Sequence, residues 1–201
     1  MLSSRDGGRL TPGAGAAAAV ALALAVAGCS ADYVEGSRGS VLLVVEAVNG
    51  GAPILSDVRG DATIVNCQAE VTVDVLSKNQ NPDQVLTSPV LAVRILRYDV
   101  VWRRSDGRGV EGADVPYRTS GNITVTVQPG TAFAFPIDLV RHQAKLVPPL
   151  SNITGLQVVT MFADITLSGE AISGEGVSGQ GTAQVTFADY AGGTVTCESG
   201  R

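Results

Sequence analysis

Cysteine is the residue type in this 201-residue chain whose placement most clearly indicates chemistry. Cys29 ends an alanine-rich apolar run, whereas Cys67 and Cys197 lie far from it and from each other. A thiol can carry a thioether-linked lipid, or it can be oxidised with a second thiol to a disulfide. The residues around each cysteine indicate which reaction it suits.

The segment before Cys29 has the parts of a secretory signal. Arg5 and Arg9 precede an apolar stretch at 16–26, and small residues follow up to the cysteine. A helix needs about 20 residues to cross the hydrocarbon core of a bilayer. The 11 residues of this stretch are too few. The sequence therefore predicts a signal peptide over residues 1–28 rather than a transmembrane helix.

The residues Val26-Ala27-Gly28-Cys29 resemble the lipobox of bacterial lipoproteins. This resemblance implies cleavage between Gly28 and Cys29, diacylation of the Cys29 thiol and, in most cases, acylation of its new amino group. One acyl chain binds a membrane only marginally, whereas two or more anchor a protein stably. Ser30 rather than aspartate follows the cysteine, which favours the outer membrane under the sorting pattern of enteric-type bacteria. An ordinary signal peptide that ends in small residues is the alternative.

Two parts follow the expected cleavage point. Residues 29–40 comprise the acylated N-terminus and a polar, glycine-containing stretch, which predicts a flexible tether. Residues 41–201 form the predicted domain, and a chain of this length can bury roughly 70% of its unfolded surface around one core. Beyond residue 28 the net charge is −6 and no cluster of basic residues occurs, so nucleic-acid binding is disfavoured.

With Cys29 assigned to lipid, Cys67 and Cys197 remain as one pair of thiols. In residues 65–75 the odd positions are apolar and the even positions are polar, which places Cys67 on the inward face of a predicted strand. Near the C-terminus, Val195 and Cys197 likewise share a face opposite two threonines. Because export exposes thiols to oxidising conditions, the sequence predicts a Cys67–Cys197 disulfide. Closing this 130-residue loop would contribute up to about 5 kcal/mol. Two separate buried thiols are the alternative.

Most of the domain consists of short runs rich in valine, isoleucine, threonine and aromatic residues, separated by glycine, proline, asparagine or aspartate. The predicted strands are 41–48, 62–76, 90–102, 123–127, 132–137, 156–167, 181–188 and 194–197. This pattern predicts an all-β fold, a single antiparallel β-sandwich of immunoglobulin-like architecture. A short helix is predicted near 137–146, where Ile137, Val140 and Ala144 have helical spacing ahead of two prolines.

The predicted strand 90–102 alternates in two registers. Its apolar residues occupy odd positions up to Ile95 and even positions from Tyr98 onwards. One extra residue would reconcile the two halves, so we predict a β-bulge near Leu96 or Arg97.

No other group of residues has the spacing of a catalytic, cofactor or metal site. Residues 174–179 match the glycine spacing of a dinucleotide-binding motif, but a predicted strand follows them where that motif requires a helix. We therefore assign the surrounding glycine-containing stretch, residues 168–181, to a flexible hairpin or an exposed loop. His142 is the only histidine, and we expect it to be solvated on the predicted helix, beside Arg141 and Lys145. The acidic residues of 106–114 match no calcium-binding loop, so neither a metal site nor an enzyme activity is predicted.

These observations predict a membrane-anchored bacterial envelope lipoprotein whose non-enzymatic domain binds or organises another envelope component. Its predicted partners are the membrane, through the lipid on Cys29, and an envelope protein or glycan. A β-sandwich that binds a small molecule or glycan is the alternative, and it would present an aromatic-lined concavity. Whether Tyr98, Trp102, Tyr117 and Tyr190 are buried, or exposed together, distinguishes the two.

Overall fold

The computed structural model of the protein describes residues 40–59, 65–78, 89–190 and 197–199. Within those ranges the main regular elements are nine β-strands and one short α-helix, α1 (His142–Lys145). The strands are β1 (Val41–Val48), β2 (Ile54–Asp57), β3 (Cys67–Ser77), β4 (Val93–Arg104), β5 (Thr119–Val127), β6 (Phe133–Val140), β7 (Val158–Ala171), β8 (Gly176–Ala188) and β9 (Glu198–Ser199). The prediction of an all-β fold is confirmed.

The strands form two sheets. One has three strands in the order β1-β3-β6, and the other has six in the order β5-β4-β7-β8-β2-β9 and curls into a half-barrel. Strand β2 lies parallel to β8, so the expectation of purely antiparallel pairing is wrong there. The chain leaves the three-stranded sheet after β1 and enters the other at β2. No hairpin therefore ties β2 to its new neighbour, and none imposes the antiparallel direction.

Alternation along β3 builds the centre of the core, as predicted. Cys67, Ala69, Val71, Val73 and Val75 are all buried, while the even positions between them face outward or are half-buried. This period of two is the geometry of a strand with one face on the core. The predicted strand 194–197 lies mostly outside the described residues.

The predicted helix is shorter than its pattern suggested. Residues Ile137 and Val140 belong to β6, and both are buried because β6 pairs with β3. Only His142–Lys145 is helical, since the chain leaves the sheet after Val140. Of the three residues with helical spacing, only Ala144 lies in the helix, whereas Ile137 and Val140 lie in a strand.

The predicted bulge in β4 is confirmed. The pairing register shifts between Ile95 and Arg97 against both neighbours, β5 and β7. Across from the bulge stands Gly169 of β7, where a Cβ atom would lie 2.2 Å from the carbonyl oxygen of Arg94. A glycine at this position leaves room for the displaced backbone of β4.

The glycine-rich stretch 168–181 forms a hairpin, which is one of the two predicted alternatives, and it is well paired. Strands β7 and β8 remain in register from Glu170↔Gly176 onwards, so only residues 172–175 form the turn. A Cβ atom at Gly181 would lie 2.6 Å from Cγ1 of Val45 in the other sheet. The glycine thus allows β1 to pack closely against β8.

Strand pairing gives the domain two ends. We call the first the entry end, because Val41 pairs there with Ser77 and the backbone N–H of Ser40 donates to the Glu175 carboxylate. At the other end, which we call the far end, Val140 pairs with Cys67. The 11 residues of β3 separate the two ends by about 33 Å.

Candidate functional site

An open groove of about 960 Å³ lies at the far end. The loop between β4 and β5 forms one wall, and the segment 141–148 after β6 forms the other. Its lining includes Asn66, Tyr117, Arg118, Arg141, His142 and Val147. The groove therefore combines an aromatic ring, aliphatic side chains and basic groups.

Ion pairs hold the loop wall together. Asp106 contacts the guanidinium groups of both Arg104 and Arg108, at 3.0 and 2.7 Å, and Glu111 contacts Arg118 at 3.0 Å. The hydrogen bond from Arg108 is the main reason why the pKa of Asp106 falls to about 2. These carboxylates are therefore paired with arginine side chains. Among the described residues, no group of three or more His, Cys, Asp or Glu side chains could hold a metal ion.

Tyr117 is the aromatic residue of the groove, and its side chain is 61% exposed. Its ring lies against Gly112, where the backbone turns at φ +78° and the N–H donates to the carbonyl of Val115 at 2.8 Å. A Cβ atom at Gly112 would lie 2.4 Å from the Tyr117 hydroxyl oxygen. The glycine therefore permits both the left-handed turn and the position of the ring.

Arg141 joins the second wall to β5. Its Nη2 donates to the carbonyl oxygen of Ser120 at 2.5 Å, and the side chain is otherwise exposed. In the part of the chain that the structure describes, no acidic side chain forms an ion pair with Arg141. Because a guanidinium has five N–H donors, Arg141 retains donors for a ligand in the groove.

A hydrogen-bond network orients His142. The Oδ1 of Asn66 lies 2.9 Å from the backbone nitrogen of His142 and 3.3 Å from its Nδ1, while Nδ2 of Asn66 donates to Asp138 at 3.2 Å. Gln68 donates to the other oxygen of Asp138. Since Oδ1 can only accept, this contact selects the tautomer with hydrogen on Nδ1, in which Nε2 is an acceptor. The expectation of a solvated histidine is therefore only partly met, because its ring is half-buried.

Below the groove, Lys145 anchors α1 in the interior. This lysine, which the sequence places beside His142 on the predicted helix, has a side chain that is 1% exposed. Burial lowers the pKa of Lys145, and the charge of buried Asp57 opposes that shift. Asp57 also accepts a hydrogen bond from the backbone N–H of Arg59 at 2.9 Å. The sequence contains no local signal for this pairing, because the two residues lie 88 positions apart.

A disulfide joins the two sheets at the far end. Cys67 at the start of β3 is bonded to Cys197, just before β9, and their Cα atoms are 5.2 Å apart. The Cys67 side chain is fully buried and that of Cys197 partly so. The predicted cleavage and lipidation residues, Gly28 and Cys29, lie outside the described residues.

The four aromatic residues singled out by the sequence do not line one concavity. Tyr98 and Trp102 are 4% exposed and belong to the core, and Tyr190 is half-buried, which raises its pKa. Of the four, only Tyr117 lines the groove. Sequence reasoning missed that residue as a site because a single tyrosine in a glycine- and proline-containing loop carries no distinctive pattern. It also missed Asn66 and Arg141, which only folding brings beside it.

No helix among the described residues is both long and apolar enough to cross a membrane.

Comparison with known proteins adds little to this geometry. No family model and no curated protein matches the chain. Among solved structures, it is similar to the solution structure of a candidate late embryogenesis abundant protein, at 12% sequence identity and a TM-score of 0.43. The match covers 85% of this chain and 87% of that one. Similarity of this degree carries no argument about function.

Proposed function

We propose that the chain is a membrane-anchored bacterial envelope lipoprotein whose domain is a non-enzymatic binding module. The lipobox-like residues 26–29 support the anchor: diacylation of Cys29 would hold the processed chain in a membrane, with the outer membrane favoured by Ser30. In the same proposal, the two sheets are the layers of an immunoglobulin-like sandwich. The close approach of β1 to β8 at Gly181 supports this finer architecture.

The groove carries the binding part of the proposal. It lies at the far end, about 33 Å from the point where the tether joins β1. Ion pairs and the Gly112 turn support its loop wall, and buried Lys145 supports the other. A groove on such walls is largely preformed, which limits the entropy lost when a partner binds.

The anchor is tested by changing the lipidation residue. Cys29→Ser is expected to shift the protein from the detergent-soluble membrane fraction to the soluble periplasmic fraction, because the variant lacks the thiol that would carry the lipid. Ser30→Ala is the matched control and should remain with the membrane. Membrane retention of Cys29→Ser would contradict the lipoprotein assignment.

The binding role is tested by site-specific crosslinking in cells. A photo-crosslinking amino acid at position 117 of the groove is compared with one at Ile172, which is 55% exposed at the entry end. We expect a discrete crosslinked product at position 117 and none at 172. Equal products at both positions, or none at 117, would contradict a binding function of the groove.

A further inference from the structure

The charge of the groove is opposite to that of the protein. The whole chain carries a net charge of −5, yet the charged side chains that line the groove are those of Arg118 and Arg141. Glu111 pairs with Arg118, whereas Arg141 donates to a neutral carbonyl oxygen and forms no described ion pair. A guanidinium in this state binds carboxylates well, because its parallel N–H groups match their two oxygens. The groove is therefore suited to an anionic ligand.

His142 adds a requirement that a simple anion does not meet. In the tautomer that the Asn66 contact selects, Nδ1–H donates to Asn66 and Nε2 is left as an acceptor. An acceptor needs a donor from the ligand, and a carboxylate or an anionic lipid headgroup without hydroxyls supplies none. A ligand with hydroxyl or amide donors as well as a negative charge would complement both Nε2 of His142 and Arg141.

Tyr117 and Val147 provide a third kind of contact. Both side chains are exposed, at 61% and 43%, and both line the groove. The apolar C–H face of a pyranose ring packs against such an aromatic ring while its hydroxyls remain free for hydrogen bonds. The volume of about 960 Å³ lies near the upper limit of about 1,000 Å³ for small-ligand sites, which favours several linked rings over one.

We propose that the groove binds an acidic saccharide, a chain of pyranose rings that carries carboxylates. Arg141 pairs with a carboxylate, Nε2 of His142 accepts a hydroxyl hydrogen bond, and Tyr117 stacks on a sugar ring. This proposal rests on the proposed binding function of the groove, and it names the ligand class. It relies on Arg141 and one aromatic ring, Tyr117, rather than on the concavity lined by several aromatic rings that the alternative function would present.

The test is calorimetric titration of the purified full-length lipoprotein in detergent micelles. The probes are oligomers of galacturonate, mannuronate, guluronate and glucuronate and oligosaccharides containing muramic acid, each matched with its neutral methyl ester. Tetraglutamate is added as an acidic ligand without rings. We expect at least one acidic oligosaccharide to bind and its methyl ester to bind at least tenfold more weakly. Failure of every acidic oligosaccharide to bind, or equal binding of the ester or of tetraglutamate, would overturn the proposal.

Variants of the groove make the test specific. Arg141→Gln and Tyr117→Ala should each weaken binding of the acidic oligosaccharide about tenfold or more. Arg94→Gln is the control, because it removes the same charge from an exposed arginine that pairs with Glu170 near the entry end. An equal loss in Arg94→Gln would indicate nonspecific electrostatic attraction and refute the assignment. If Arg141→Gln does not fold, Tyr117→Ala decides the outcome.

A pair of glycine variants tests the placement of Tyr117 separately. Gly112→Ala and Gly107→Ala both put a side chain on a backbone with φ near +80°, but only the former meets the Tyr117 ring. We expect Gly112→Ala to weaken saccharide binding severalfold and Gly107→Ala to leave it unchanged. If the two variants changed saccharide binding equally, Tyr117 would not contact the saccharide as proposed.

Failure of this proposal is distinguishable from failure of the proposed function. If position 117 still yields a crosslinked partner in cells while no acidic oligosaccharide binds, the groove is a binding site for another ligand. If neither occurs, both proposals are wrong.

Discussion

Replacing Gly169 with alanine is expected to destabilise the domain through a single added methyl group. The new Cβ would lie 2.2 Å from the carbonyl oxygen of Arg94 and 2.8 Å from Cα of Ile95. A carbon and a carbonyl oxygen in close contact are normally about 3.3–3.6 Å apart, so the two strands must separate locally by about 1 Å. Both clashing atoms belong to the backbone of β4, which is paired on both sides and cannot rotate away.

The magnitude follows from two opposing effects. Overpacking of a well-packed interior typically costs about 1–3 kcal/mol, and a backbone clash belongs to the upper part of that range. Alanine also restricts the unfolded chain more than glycine does, which offsets about 0.4–1 kcal/mol. We expect a net loss of about 2 kcal/mol in the free energy of unfolding. For a domain of this size that corresponds to a decrease in Tm of about 4–8 °C.

Urea denaturation followed by tryptophan fluorescence measures this loss. Trp102 is the only tryptophan, it is buried, and its ring lies 5.7 Å from that of Phe187, so its emission reports on the core. Gly176→Ala in β8 is the matched control, because its Cβ would meet no atom within 4 Å. That variant should be neutral or slightly stabilised. If Gly169→Ala and Gly176→Ala have the same free energy of unfolding within about 0.5 kcal/mol at equal m-values, the reasoning about the bulge is refuted.

Three further predictions concern titration and covalent structure. Burial lowers the pKa of Lys145 below 10.5, so in the alkaline range the unfolded chain binds more protons than the folded chain does. The free energy of unfolding should therefore rise with pH up to about 10. Lys145→Met should flatten this rise when urea titrations are repeated at several pH values. Because the pKa of Asp106 is lowered from 3.8 to about 2, its contribution to stability is present above pH 3.8 and is lost as the pH falls towards 2. Asp106→Asn should therefore show a shallower loss of Tm between these pH values, and an unchanged acid profile would contradict the role of the Arg108 pair. Non-reducing mass spectrometry of the exported protein should recover Cys67 and Cys197 in one linked peptide, and two free thiols would show that the disulfide does not form.

Local periodicity made much of the fold predictable. Strand β1 has its predicted bounds, because alternation and flanking turn residues are both encoded within a few positions. The bulge in β4 was predictable for the same reason, since a change of parity between Ile95 and Tyr98 is visible in the sequence alone. Strand β2 was not predicted, because it has only four residues, two of them polar, and its burial comes from neighbours in β8.

The candidate site was much less predictable. His142 was identified as the only histidine, but its orientation depends on Asn66, which lies 76 positions earlier in the chain. Tyr117 and Arg141 had no distinctive spacing, and only the ends of β5 and β6 bring them to one groove. The burial of Lys145 was not predictable either, because lysine is rarely buried and the buried charge that acts on its pKa, Asp57, belongs to a distant segment.

By itself the sequence determined the alternation of the strands, the all-β class and the bulge, because these depend on neighbouring residues that share one strand. It also predicts the anchor at Cys29, through chemistry that short-range motifs encode. Only the tertiary structure decided which sheet each strand joins, which charged groups are buried and where a groove forms. These features depend on pairs of residues far apart in the chain, whose proximity is a property of the whole fold.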